Sequence, residues 1–357
     1  MVTRVIKADA DSSLDFDKRI KEAAVVIKEG GLVAFPTETV YGLGADALQP
    51  EAARKIYEAK GRPSDNPLII HVASLDFIEK IAKNVPAEAK KMAAKFWPGP
   101  LTMIFEKTDC VPFETTGGMD TVAVRMPDHA VALALIRESG GYIAAPSANT
   151  SGRPSPTTAA HVAEDMDGRI PLILDGGAVG IGLESTIIDF TAEEPTILRP
   201  GYITLEMAKE VLGTVRMDAG LISADSSRKP KAPGMKYRHY APKAELTIVE
   251  GTKQAVVRMI NQKAAELSAQ GKRAGIICTD ETRENYPKGD VISVGSRKKE
   301  ETIAKNLFAV LREFDHRHVD AIYAESFETN GIGQAIMNRL QKAAGHRKIE
   351  ANTGDTL

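Results

Sequence analysis

Apolar residues in the first part of the chain alternate between helical spacing and short continuous runs. Phe16 to Lys28 carries apolar positions three and four apart and stops at Gly30-Gly31, which predicts an amphipathic helix with a glycine stop. Leu32-Val33-Ala34-Phe35 follows as a buried strand, and Leu68 to Val72 as another. Pro50 to Ala59, Pro86 to Phe96 and His129 to Ser139 read as helices. Leu101 to Phe105, Thr121 to Arg125, Tyr142 to Ala145, Leu172 to Asp175 and Ser185 to Asp189 read as strands. Strands interleaved with helices in this way predict an α/β domain.

The pattern changes after Gly213. Asp218 to Pro242 is rich in Ser, Lys, Pro and Gly and poor in large aliphatics, as a linker or crossing loop would be. Its second half, Ala232 to Pro242, holds two tyrosines, a histidine, a lysine and an arginine, too much chemistry for an idle spacer. We expect it to act as a lid. From Ala244 the alternation resumes. Leu246 to Val249, Ala274 to Cys278, Val291 to Val294 and Ala321 to Ala324 read as strands, separated by helical patterns ending near Gln270, Phe314 and Ala344. This predicts a small parallel sheet with helices on its faces. The expected organisation is a first domain over 1–217, a linker or lid over 218–243, a second domain over 244–346 and a tail over 347–357.

Composition narrows the function classes. The 357 residues carry a formal net charge of −2, with 43% hydrophobic and 26% charged residues. Such a balance gives no overall pull toward nucleic acid or acidic membranes. No apolar run approaches the roughly 20 residues that span a bilayer. The start of the chain meets Asp9, Asp11, Asp15 and Asp17, so a secretory signal is not expected. Two cysteines, Cys110 and Cys278, are too few and too far apart for a disulfide framework or a zinc site, and a reducing cytoplasm is the expected location.

Candidate chemistry sits in loops at strand ends. Pro36-Thr37-Glu38-Thr39-Val40-Tyr41-Gly42-Leu43-Gly44 places hydroxyls, one carboxylate and two glycines after an apolar strand, where α/β sheets bind ligands. The glycines are expected to let backbone N–H groups approach a ligand. A plain strand-to-helix turn with a threonine cap is the competing reading. Lys60-Gly61-Arg62 sets two cations around a glycine, suited to a phosphate, or to capping a solvated helix end. Ser147 and Asn149, two apart, face one way in an extended segment, or form an Asx-turn. Gly182-Leu183-Glu184-Ser185-Thr186 and Leu198-Arg199-Pro200-Gly201 are further sets of the same kind. No Walker A, H-E-x-x-H or G-x-G-x-x-G pattern is present.

Taken in order, these loops and the linker Pro233-Gly234-Met235-Lys236-Tyr237-Arg238-His239-Tyr240-Ala241-Pro242 resemble the YrdC-type threonylcarbamoyl-AMP synthases in their long two-domain form. Ala232 departs from the serine that this linker often carries. Gly331-Ile332-Gly333 with Ala335 to Leu340 resembles that form's C-terminal signature. The resemblance implies an α/β fold: an N-terminal YrdC-like twisted mixed sheet with helices and a concave cleft, and a C-terminal small Rossmann-like parallel α/β domain. It implies a nucleotidyltransferase making L-threonylcarbamoyl-AMP from L-threonine, bicarbonate and ATP, with pyrophosphate released and the product passed to a second system that modifies tRNA. Carried over by motif, Lys60 and Arg62 are catalytic. With Asn66, Thr121, Ser147, Asn149, Ser155 and Arg199 they hold ATP, and Tyr237 or His239 closes over the nucleotide. Thr39, His71, Arg125, Ala145 and Ser185 frame threonine. Mg²⁺ is expected on the phosphates, with no protein metal site. The alternative is a double-stranded-RNA-binding or nucleotide-sensing module without synthase activity, and weak RNA binding is compatible with either.

Overall fold

The computed structural model describes residues 2–8, 13–218 and 239–351. They form two compact units. One holds the described residues up to 218 except Gly152–Pro154, and the other holds Gly152–Pro154 with residues 239–351.

The first unit is a mixed sheet of Arg4–Lys7 (β1), Val33–Phe35 (β2), Gly42–Asp46 (β3), Ile69–His71 (β4), Ala82–Lys83 (β5), Leu101–Lys107 (β6), Thr121–Arg125 (β7), Ile143–Ala144 (β8), Leu172–Asp175 (β9), Thr186–Asp189 (β10), Thr196–Arg199 (β11) and Arg216–Met217 (β12). Their order is β1-β9-β2-β3-β8-β4-β7-β6-β10-β11-β12, with β5 on β6. Strand β4 runs parallel to β7 and β10 parallel to β6, while β6 and β7 are antiparallel.

Alternation along these strands divides the sheet's two faces. Ile70, Val122, Val124, Met103, Phe105, Ile188 and Ile197 join the large core that includes Ile56, Tyr57 and Met92 from the helices Pro50–Lys60 and Ala87–Phe96. Their neighbours Ile69, Ala123, Ile104, Ile187 and Leu198 form a separate small apolar cluster. A third cluster joins Ile20, Ala24 and Ile27 of the helix Ser13–Lys28, and Val131 and Leu135 of Ala130–Glu138, to Val33, Phe35, Ile143 and Leu172.

Three expectations change. The Pro36–Gly44 stretch leads into a strand rather than a helix, and its glycines lie outside the loop: residues 36–41 are irregular, while Gly42 and Gly44 lie in β3, antiparallel to β2. A Cβ on Gly44 would sit 2.8 Å from Phe35 and Ile143 side chains, so this glycine is required by packing. Arg199, expected beside a proline at a strand end, is itself the last residue of strand β11 and not part of a loop beyond it. In the second unit, Lys348–Glu350 forms a strand in what reads as a tail, because it pairs with another strand at a sheet edge and has no apolar pattern of its own.

The second unit is an all-parallel sheet of Glu245–Glu250 (β13), Ala274–Cys278 (β14), Asp290–Ser293 (β15), Ala321–Glu325 (β16) and Lys348–Glu350 (β17), ordered β15-β14-β16-β13-β17. Strand β14 is buried along its whole length, as a central parallel strand should be. Glu325, buried at the end of β16, accepts a 2.8 Å hydrogen bond from Tyr286 Oη and pairs with Arg297 at 2.8 Å.

Gly201 closes the turn after β11. A Cβ there would collide with Thr186 N and lie 2.7 Å from Ser185 C and 2.8 Å from Glu184 O. All three are backbone atoms with no flexible end to move. Gly201→Ala should lower the unfolding free energy by about 1–3 kcal/mol, read as a lower urea midpoint at unchanged m. An unchanged midpoint would mean that this turn yields freely.

Candidate active site

The helix Pro50–Lys60 ends at Gly61, whose φ of 59° lets the chain reverse. Lys60 is not a solvated cap. It is 1% exposed, and its ammonium donates to the carbonyls of Ser147, at 2.5 Å, and Asn149. Ser147 Oγ donates to Asn149 Oδ1 at 2.5 Å, and Asn149 Nδ2 to Thr150 O at 2.9 Å. The two side chains that face one way are thus bonded to each other. Arg62 Nη2 reaches the carbonyls of Asn66 and Pro67, each at 3.3 Å. The 146–148 segment is stitched to the Thr37–Gly44 stretch by Leu43 N to Pro146 O and Ala148 N to Tyr41 O, both 2.8 Å.

A second group gathers around Arg125. The β4–β7 register sets His71 opposite Arg125, and the β6–β7 register sets Thr102 opposite it on the other side. Arg125 is 4% exposed, and its Nη2 lies 2.7 Å from Glu38 Oε1. His71 Nδ1 faces Ile69 O at 3.1 Å, which assigns the proton to that nitrogen. Burial, and then the Arg125 charge, push the His71 pKa down to about 3, so the ring is neutral. Thr39 is fully buried, with its hydroxyl 2.9 Å from that of Thr37. Gly182 N donates to Thr39 O at 3.0 Å and Ile181 N to Glu38 O at 2.9 Å, which brings in the loop carrying Ser185.

Ser185 Oγ is 2.7 Å from Thr102 Oγ1 and accepts from Arg199 Nη2 at 3.1 Å, while Arg199 Nε donates to Ser185 O at 3.0 Å. Ser155 Oγ donates to Glu184 Oε1 at 2.5 Å. Ala145 N donates to Ile69 O at 2.8 Å, beside His71. Thr121 shares a sheet face with Arg125 but stands four residues away along β7, ~13 Å at strand rise, opposite Glu106. Tyr237 and residues 232–238 of the expected lid lie outside the described residues. His239 belongs to the second unit, where it is buried, its ring 5.6 Å from that of Tyr240. Sequence reasoning placed Glu38 and Glu184 in candidate loops without giving either a role, and it missed Thr102. The signal for Thr102 was its place as the single polar residue in Leu101–Phe105.

Family models and known proteins converge on one group. A family model described as Telomere recombination matches residues 25–201, and one described as Threonylcarbamoyl-AMP synthase, C-terminal domain, matches 203–345. The threonylcarbamoyl-AMP synthases of Pyrococcus abyssi and Bacillus subtilis are each 52% identical, over 93% of this chain and 96% and 95% of theirs. That of Schizosaccharomyces pombe is 42% identical over 87% of this chain and 84% of its own. The crystal structure of P. abyssi Sua5 complexed with L-threonine superimposes with a TM-score of 0.92 at 49% identity, covering 98% of this chain and all of the other. With both family models matched in tandem and such identity along nearly the full length of both chains, this chain belongs to the threonylcarbamoyl-AMP synthase family, in its two-domain form.

Proposed function

We propose that this chain condenses L-threonine, bicarbonate and ATP to L-threonylcarbamoyladenylate and pyrophosphate. The observation that carries the reading is the buried Arg125 facing a neutral His71, beside the Ser185–Thr102–Arg199 cluster. A fixed cation, a neutral ring and hydroxyls in one place suit a small hydroxylated amino acid. Arg125 takes the threonine carboxylate. His71, Ser185 and the Thr39 segment surround its hydroxyl and methyl group, and Ala145 leaves them room.

The chemistry asks for positioning and charge compensation. The threonine ammonium first gives up one proton; the neutral amine then attacks the bicarbonate carbon to form the carbamate, and water leaves. A carbamate oxygen then attacks the ATP α-phosphorus and pyrophosphate leaves. Lys60 fixes the Ser147–Asn149 loop, and Arg62 and Arg199 offset phosphate charge, with Asn66, Ser155 and Thr121 assisting. Mg²⁺, which keeps most of its ligands as water and phosphate oxygens, would be carried mainly by the ATP phosphates. The labile product is then consumed by a tRNA-threonylcarbamoylating system. We place the reaction in the cytoplasm, on the ground that its product serves tRNA modification. No helix among the described residues is long and apolar enough to cross a membrane.

Three measurements check this reading. Purified protein given ATP should release pyrophosphate only when both threonine and bicarbonate are present. Release without threonine, or salt-sensitive RNA binding with no ATP consumed, would contradict it. Arg62→Ala should lower kcat on the order of 10²-fold with little change in thermal midpoint, because Arg62 is half-exposed. An unchanged kcat would remove Arg62 from the phosphate site.

The third measurement uses pH. His71 titrates near 6.5 when unfolded and about 3 when folded, so as pH falls the unfolded chain takes up the proton first. Its contribution is intact above about pH 6.5 and is lost below it at about 1.4 kcal/mol per pH unit. Between pH 7 and 5 the parent should therefore lose about 2 kcal/mol more unfolding free energy than His71→Gln. Parallel losses would mean that His71 is not held neutral.

A further inference from the structure

An α-amino acid at neutral pH is a zwitterion, so a buried site for one needs a cation for its carboxylate and an anion for its ammonium. Arg125 meets the first need, and the reading above leaves the second unassigned. Glu38 stands beside Arg125. Its side chain is 13% exposed, and its Oε1 lies 2.7 Å from Arg125 Nη2. The approach is poorly angled: both Glu38 oxygens are shielded from water, and neither accepts a hydrogen bond among the described residues. A shielded carboxylate with unused acceptors is costly and calls for a donor.

The local chain holds it in place. Thr37 Oγ1 accepts from Thr39 N at 3.1 Å and donates to Val40 O at 2.7 Å, which fixes the turn around Glu38. From the other side Ile181 N is bonded to the Glu38 carbonyl. Another titratable group that feels Glu38 is His129, whose pKa is lowered by burial although Glu38 and Asp128 pull it upward. It is therefore neutral at pH 7 and does not supply the missing positive charge.

We propose that Glu38 binds the ammonium of the amino-acid substrate and forms, with Arg125, a two-charge clamp for the zwitterion. The clamp rests on the threonine reading of this site. Before substrate arrives the two side chains neutralise each other. In the complex the substrate carboxylate takes the guanidinium and its ammonium takes Glu38, so each buried charge has a partner throughout. A ligand with a carboxylate alone competes with Glu38 for Arg125 and offers Glu38 nothing in return.

The test is calorimetric titration of the full chain with L-threonine and with β-hydroxybutyrate of the same configuration, which is threonine without its amine. Glu38→Gln should weaken threonine binding about 10- to 100-fold, the range for a hydrogen bond to a charged group. The same variant should hold or strengthen β-hydroxybutyrate binding, because Arg125 loses its competing anion. Glu38→Asp keeps the charge and should retain a preference for threonine, which serves as a second arm if the Gln variant folds poorly. Equal weakening of both ligands by Glu38→Gln, or no effect on either, overturns the clamp. A parent protein that binds no threonine at all overturns the threonine reading itself, a result distinct from those two.

Discussion

The period-two alternation of β4, β7, β6 and β10 is the constraint on which the rest of the first unit depends. Val122 and Val124 can enter the main core only if Thr121, Ala123 and Arg125 face the other way. The same holds for Ile70 against Ile69 and His71, and for Met103 and Phe105 against Thr102 and Ile104. A slip of one residue in any of these strands would exchange core for site, so hydrophobic burial enforces the register that sets His71 and Thr102 on either side of Arg125. The energy that positions the polar groups is thus the burial of their neighbours.

Burial of charge follows from that arrangement. Lys60, Arg125 and Arg199 are each at most 4% exposed, and each is fixed to the backbone of another segment or to a carboxylate. Cations held this way lose little by reorganising when an anion arrives, which is what makes a preorganised site effective. Carbonyl anchors suit the task, because a carbonyl orients an ammonium or guanidinium without cancelling its charge. Arg125 has in addition a full carboxylate, that of Glu38, beside it.

Much of this was legible in the sequence. Strands such as Thr121–Arg125 declared themselves by apolar runs bounded by turn residues, and the element ends and loops carrying Lys60, Ser147, Ser185 and Arg199 by their polar and glycine content. What was hidden has physical reasons. Gly42 and Gly44 look like loop glycines, because nothing local tells that Phe35 and Ile143 will press against them. The strand Lys348–Glu350 has a single apolar residue and exists through its edge pairing. The Glu38–Arg125 pair spans 87 positions along the chain and is set by strand register, which no local pattern encodes.

The most direct measurement is a crystal structure of the protein grown with L-threonine. The account predicts threonine over the β4–β7 pair, its carboxylate on Arg125 and its hydroxyl toward His71 and Ser185. Threonine bound elsewhere, with Arg125 still engaged only by Glu38, would contradict it.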